Sequence, residues 1–161
     1  MRSLGHYGLA AVVFALDRLT KWIIENRMSV FDTHTVIPGF FDIVHAQNKG
    51  AAFSMFADSN SVWRPVFLIG LSLAALVLVG WILRKSAQLD RPTAIGLSLI
   101  LGGALGNVFD RIVTGAVTDF LDFYIGDLHW PAFNVADSAI VIGSCLLLLS
   151  LLKPKQQPAK A

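Results

Sequence analysis

Four apolar runs decide what this chain can become. They lie at about Tyr7–Ile24, Arg64–Leu83, Ala94–Val113 and Asn134–Leu152, each near the roughly 20 residues an α-helix needs to cross a hydrocarbon layer of about 30 Å. In lipid the backbone has no water to bond, so runs of this length become helices. Composition agrees: 55% of the 161 residues are hydrophobic and 15% charged, against about 25% charged in a soluble domain. The expected fold is mainly α and membrane-integral: a four-transmembrane-helix bundle forming one membrane domain over residues 1–153. A disordered cytoplasmic tail over 154–161 follows. Met1–Ala15 starts like a signal peptide, but the run continues through Asp17, Arg18 and Lys21 into Trp22 without a small-residue cleavage site. It reads as a retained first span.

The connectors have a different texture. Residues 28–60 read as a small extracytoplasmic β platform with a short interfacial helix. Val36-Ile37-Pro38-Gly39 signals a turn, Phe40–Gln47 is aromatic and β-branched like a strand, and the apolar residues of Ala51–Phe56 suit a helix on the membrane surface. His34 and His45 lack metal-ligand spacing, so neither metal nor cofactor is expected. The single cysteine, Cys145, can form no disulfide within the chain and has no neighbouring base to make a thiolate. In the third span Gly102 and Gly106 form a small-xxx-small pair that lets helices approach closely. Thr114-Gly115 ends that span, Val117–Tyr124 alternates loosely, and Gly126-Asp127 turns before Trp130-Pro131 leads into the fourth.

Lysines and arginines set the orientation. Arg2, the Arg84–Arg91 loop and the tail carry seven, whereas the two longer connectors carry Arg27 and Lys49. Both termini are expected in the cytoplasm and both longer connectors outside. A net charge of +2, dispersed along the chain, points to no nucleic-acid partner.

Polar residues then stand out at membrane depth, where ionisable groups cost several kcal/mol unless paired and so mark functional sites. The pattern Asn107-Val108-Phe109-Asp110 is repeated as Asn134-Val135-Ala136-Asp137. On a helix this spacing sets amide and carboxylate on one face, one turn apart. The two faces are expected to meet and hold a reactive carboxylate pair. With the expected orientation, Asp17, Asn107, Asp110, Asp119, Asn134 and Asp137 all come to one depth near the outer surface. Asp17 and Lys21 are one turn apart in the favourable order for an ion pair. One reading leaves the pair structural, with Lys21 snorkelling to the interface; the other turns Asp17 into the bundle to brace the site. For Asp110 the expected role is structural, paired with Arg111. For Asp119 and Asp137 it is catalytic, with Asp122 a rival to Asp119 on spacing alone. Two close carboxylates share a proton, one serving as base and the other as acid, which suits attack of water on a peptide bond. Burial raises such carboxyls; which of the two is the acid stays open.

The set Asp17-x-x-x-Lys21, Asn48-x-Gly50-Ala51-Ala52-Phe53-Ser54, Gly106-Asn107-x-x-Asp110-Arg111, Val117-x-Asp119-Phe120 and Phe133-Asn134-x-Ala136-Asp137 resembles signal peptidase II, the bacterial lipoprotein signal peptidase, over nearly the whole chain. The resemblance implies an aspartic endopeptidase of the bacterial inner membrane that cuts diacylglyceryl-modified prolipoproteins just before the lipidated cysteine. It implies Asp119 and Asp137 as the dyad, Asn48, Gly50, Asn107, Arg111 and Asn134 as groove or site support, and Asp17, Lys21 and Asp110 as scaffold. Inhibition by the cyclic peptide globomycin is implied too. Arg18, where the family often has glutamine, and Thr118, where valine is common, depart from its pattern. Partners are therefore the lipidated precursors and membrane lipid, and a monomer suffices. A proton-coupled membrane carrier using the same carboxylates, or a scaffold with polar residues as interhelical glue, would fit the polar pattern without proteolysis.

Overall fold

The computed structural model describes residues 3–50 and 63–152. In chain order the elements are α1 (Ser3–Arg27), β1 (Thr33–Ile37), β2 (Phe41–Asn48), α2 (Trp63–Leu83), a short 3-10 turn (Ser86–Gln88), α3 (Arg91–Val113), β3 (Val117–Ile125), β4 (Leu128–His129) and α4 (Val135–Leu152). The fold is mainly helical with a small antiparallel sheet. Helices α2, α3 and α4 are each long and apolar enough to cross a membrane. The first expected span is also helical, at 25 residues, but carries Asp17, Arg18, Lys21 and Glu25 in its second half. The expected interfacial helix at Ala51–Phe56 and the tail at 154–161 lie outside the described residues.

Helix ends follow local chemistry. The Asp90 side chain accepts from Thr93 N at the start of α3, with Pro92 in the first turn, where its missing N–H costs nothing. α3 stops at Thr114, and Gly115 then takes φ +77°, as the sequence led one to expect.

The platform is larger than the first connector alone. Its four strands run β1-β2-β3-β4, all antiparallel, so half of the sheet comes from the second connector. A lone β1–β2 hairpin would be marginal; the loose alternation of Val117–Tyr124 supplies the strand that completes it. Pro38 and Gly39 make the β1–β2 turn, with Gly39 at φ +77° and Phe40 N bonded to Ile37 O at 3.0 Å, the signature of a type II turn. Register sets Ala46 opposite Asp119 and Asn48 opposite Val117, with an irregularity between Ile43 and Ala46.

Helix α3 is central, packed against α1, α2 and α4. Its glycines allow this. A Cβ on Gly102 would meet Ala10 O and Val13, one on Gly106 would strike the Asp17 carboxylate, and one on Gly103 would strike Ala136 O. The expected small-xxx-small pair therefore faces α1, while Gly103 faces α4. On α1 the buried residues His6, Ala10, Val13, Asp17, Lys21 and Ile24 recur every three or four positions, which is one helix face. Leu16, Leu19, Trp22 and Ile23 point outward.

Candidate active site

Lys21 is the hub behind the site. It is 0% exposed, as is Asp17, so it does not snorkel to an interface. Its Nζ lies 2.9 Å from Asp17 Oδ2, 2.7 Å from Asp110 Oδ2 and 3.0 Å from Asn107 Oδ1, three oxygens for the three donors of an ammonium. Two buried carboxylates need a second cation, and Arg18 supplies it to Asp110 Oδ1. The expected Asp110–Arg111 pair is absent: successive residues on a helix project about 100° apart, and Asp110 turns to α1. Arg111 instead donates to Asn107 O at 3.1 Å and Gly50 O at 3.4 Å.

The remaining oxygen of Asp17 binds α4. Its Oδ1 accepts from Ala136 N at 2.9 Å, across 119 residues of chain, and so satisfies a first-turn N–H that has no partner within the helix. Asp17 thereby ties α1 to the start of α4. The rest of that helix end is a reciprocal cap. Asn134 Oδ1 accepts from Asp137 N at 2.9 Å, and Asp137 Oδ2 accepts from Asn134 N at 3.3 Å, an Asn–Asp version of the capping box. The four-residue pattern of the fourth span is thus first a helix start, and the same geometry points Asp137 outward.

The two repeated patterns do meet, though through their amides. Asn107 Nδ2 donates to Asp137 Oδ1 at 2.7 Å, and Asn134 Nδ2 lies 3.3 Å from Asn107 Oδ1. The shortest bond of that Asn134 amide goes to Asp119 Oδ1, at 2.7 Å. A continuous bridge therefore runs Asp137–Asn107–Asn134–Asp119, and Asn134 at its centre is fully buried. The acid of the first pattern, Asp110, is spent on Lys21 and Arg18, so the paired carboxylates come from β3 and α4. Asn48 Nδ2 donates to Asp119 Oδ2 at 3.1 Å, while its Oδ1 accepts from Gly50 N at 2.9 Å. Phe120 N and Leu121 N both bond Phe133 O, at 3.0 and 2.9 Å, which ties the start of α4 to β3 and sets Asn134 beside Asp119.

Asp119, Asp137, Asn48, Asn107 and Arg111 line one cavity of about 580 Å³, whose other walls are Val117, Trp130, Pro131, Phe133 and the α4 residues Ile140, Val141 and Ile142. Asn134 and Gly50 do not line it but bond residues that do, Asn134 Nδ2 donating to Asp119 and Gly50 N to Asn48. Asp122, three residues on from Asp119 and so on the other face of the strand, binds His129 at 2.8 Å and does not line this cavity. Spacing alone could not separate the two; strand alternation does. Burial pushes the Asp119 carboxyl up from 3.8 to about 7, with the negative charge of Asp137 adding to the rise, against the pull of Asn48, Asn134 and Lys21. Such a group holds a proton near neutral pH beside a second carboxylate, which is what acid–base work on a peptide bond requires. Sequence reasoning passed over Glu25 and the apolar wall of Trp130, Pro131 and Phe133. Glu25 was visible in principle, one turn beyond Lys21 on a face already carrying charge.

Known proteins match this architecture. The model of a family described as signal peptidase (SPase) II fits residues 9–153. A lipoprotein signal peptidase of Solibacter usitatus is 60% identical over 153 residues, 95% of this chain and 93% of that protein. One from Maridesulfovibrio salexigens is 42% identical, covering 91% and 94%. Two solved bacterial membrane enzymes, determined by the in meso method at 2.3 and 1.9 Å resolution, are both 33% identical, with TM-scores of 0.83 and 0.80. They cover 97% and 94% of this chain and 94% of their own. With the family model spanning nearly all the described residues, the chain belongs to the signal peptidase II family.

Proposed function

We propose that this protein removes signal peptides from prolipoproteins as an aspartic endopeptidase, with Asp119 and Asp137 as its dyad. The dyad carries one shared proton. The ionised carboxylate takes a proton from water, the resulting hydroxide attacks the scissile carbonyl, and the protonated partner donates to the leaving nitrogen. What supports this is one observation: two carboxylates from separate elements line the same cavity and are joined behind it by the Asn107–Asn134 amide bridge. Asn48, Gly50, Asn107, Arg111 and Asn134 hold the dyad and the groove; Asp17, Lys21 and Asp110 hold the helices beneath it.

The substrate is a precursor whose cysteine already bears diacylglycerol, cut on the N-terminal side of that cysteine. The apolar wall of Trp130, Pro131, Phe133, Ile140, Val141 and Ile142 suits acyl chains, since burying apolar surface there gains about 25 cal/mol per Å². α1 serves as a fourth span, hiding its charges on the face towards α3 and α4. The bundle and platform act as one membrane domain, with both termini in the cytoplasm and the dyad near the outer surface of the inner membrane. The working unit is a monomer in lipid, and a globomycin-type cyclic peptide would compete for the groove. The relatives are peptidases, which leaves the carrier reading without support.

Asp119→Asn and Asp137→Asn, made separately, test the dyad. Each variant should insert and fold but cleave a diacylglyceryl-modified precursor about 10²–10⁴ times more slowly, the usual worth of a positioned acid or base. An unlipidated twin precursor should stay intact with the unaltered enzyme. Full cleavage by either variant removes that residue from the dyad.

A further inference from the structure

A polar relay outside the cavity reaches the strand that carries Asp119. Glu25, near the end of α1, accepts a hydrogen bond from Thr118 Oγ1 at 2.8 Å. Its other oxygen lies 3.8 Å from Arg18 Nη2, and Arg18 is itself anchored on Asp110. Thr118 is buried and immediately precedes Asp119, so on a strand the two side chains leave opposite faces. The Thr118 carbonyl lies 3.3 Å from Asn134 Nδ2, the amide that bonds Asp119. Residue 118 is thus gripped twice: through its hydroxyl by α1, and through its carbonyl by the residue that caps α4. In the sheet Thr118 pairs with Gln47 within the regular run Val117–Asp119 against Ala46–Asn48, and the ladder shifts register only beyond Asp119, between Ile43 and Ala46, where such an irregularity disrupts pairing locally; residue 118 is thus the fixed point on the near side of Asp119.

We propose that the Arg18–Glu25–Thr118 relay is a positioning device that sets where Asp119 stands relative to Asp137. Arg18 holds the Glu25 carboxylate in place, Glu25 holds Thr118, and Thr118 turns Asp119 to the cavity. The proposal rests on the reading of Asp119 as catalytic.

The test uses the purified full-length protein in lipid with a diacylglyceryl-modified precursor, and rates are taken per folded molecule. Thr118→Val keeps the shape and removes the donor; its kcat should fall about tenfold with KM within about twofold, since small misplacements of a reacting group slow the chemical step more than binding. Thr118→Ser, which restores a hydroxyl, should recover most of the loss. Glu25→Ala should match Thr118→Val, and the double variant should be no slower than either single one, as expected when both remove one interaction. A lowered thermal midpoint with kcat unchanged, no recovery with serine, or additive losses would each overturn the proposal. Asp119→Asn is run alongside. If it is inactive while Thr118→Val is as fast as the parent, the relay fails and the dyad stands; if Asp119→Asn cleaves, the dyad reading itself fails.

Discussion

Helices α2 and α3 run side by side, yet they are built on opposite rules. In its 18-residue window α2 has mean hydropathy 2.7 with 6% of the residues buried, whereas the window within Arg91–Val113 of α3 has 56% of its residues buried at a mean hydropathy of 1.5. In a water-soluble protein the more apolar helix would be the more enclosed. Here lipid tails are as apolar as leucine, so hydrophobicity marks the surface that faces them, and close packing falls to small residues and paired polar groups. The helix with closely packed glycines, Asn107, Asp110 and Arg111 is the core; the helix that reads as a plain span is its cover.

The sharpest way to break that contrast is Lys21→Met. It removes the cation shared by Asp17, Asp110 and Asn107 while keeping most of the volume. Stability should fall by about 3–5 kcal/mol, because two buried carboxylates lose a partner at once, and cleavage should fall with it as α4 loses its Asp17 brace. A melting curve in detergent close to that of the parent would show that the charge cluster is not what holds the interior.

The second test follows from the Asp119 carboxyl. Unfolded it ionises near 3.8, and folded near 7. Between those values the folded protein binds the extra proton, so this group's contribution to stability is complete below the lower value and is lost as pH rises through the higher one. Asp119→Asn has no such group. The difference in thermal midpoint, variant minus parent, should therefore climb from pH 4 to pH 7 by the equivalent of a few kcal/mol and level off above. A flat difference across that range would remove the raised carboxyl. In the same way, cleavage by the parent should decline above about pH 7 as the dyad loses its shared proton.

Smaller effects separate the two helices directly. Gly103→Ala on α3 presses a methyl against the Ala136 carbonyl, moving the turn that carries Asn134 and Asp137; about 1–3 kcal/mol of stability should be lost, together with activity. Gly70→Ala on α2 meets nothing within 4 Å and should cost no stability, gaining up to about 1 kcal/mol from the helix preference of alanine. Equal losses at the two positions would erase the distinction between core and cover.

The sequence by itself determined the three helices long and apolar enough to cross a membrane, because run length against bilayer thickness is a local property, and it determined the strand and turn at Val36–Gln47. It also singled out nearly every polar residue of the site, since such residues are conspicuous among lipid-facing neighbours. Partner choice was another matter. Asp110 stands next to Arg111 and yet binds Arg18 and Lys21 on another helix; Lys21 was free to snorkel and is instead enclosed; Asp122 rivalled Asp119 on spacing alone until β3 put the two on opposite faces. Strand β3, which joins the two connectors into one sheet, came from a stretch whose alternation was too weak to name before β2 lay beside it. Each of these outcomes depends on groups dozens of residues apart reaching hydrogen-bond distance, and only the packing of α1, α3 and α4 around glycines decides which ones do.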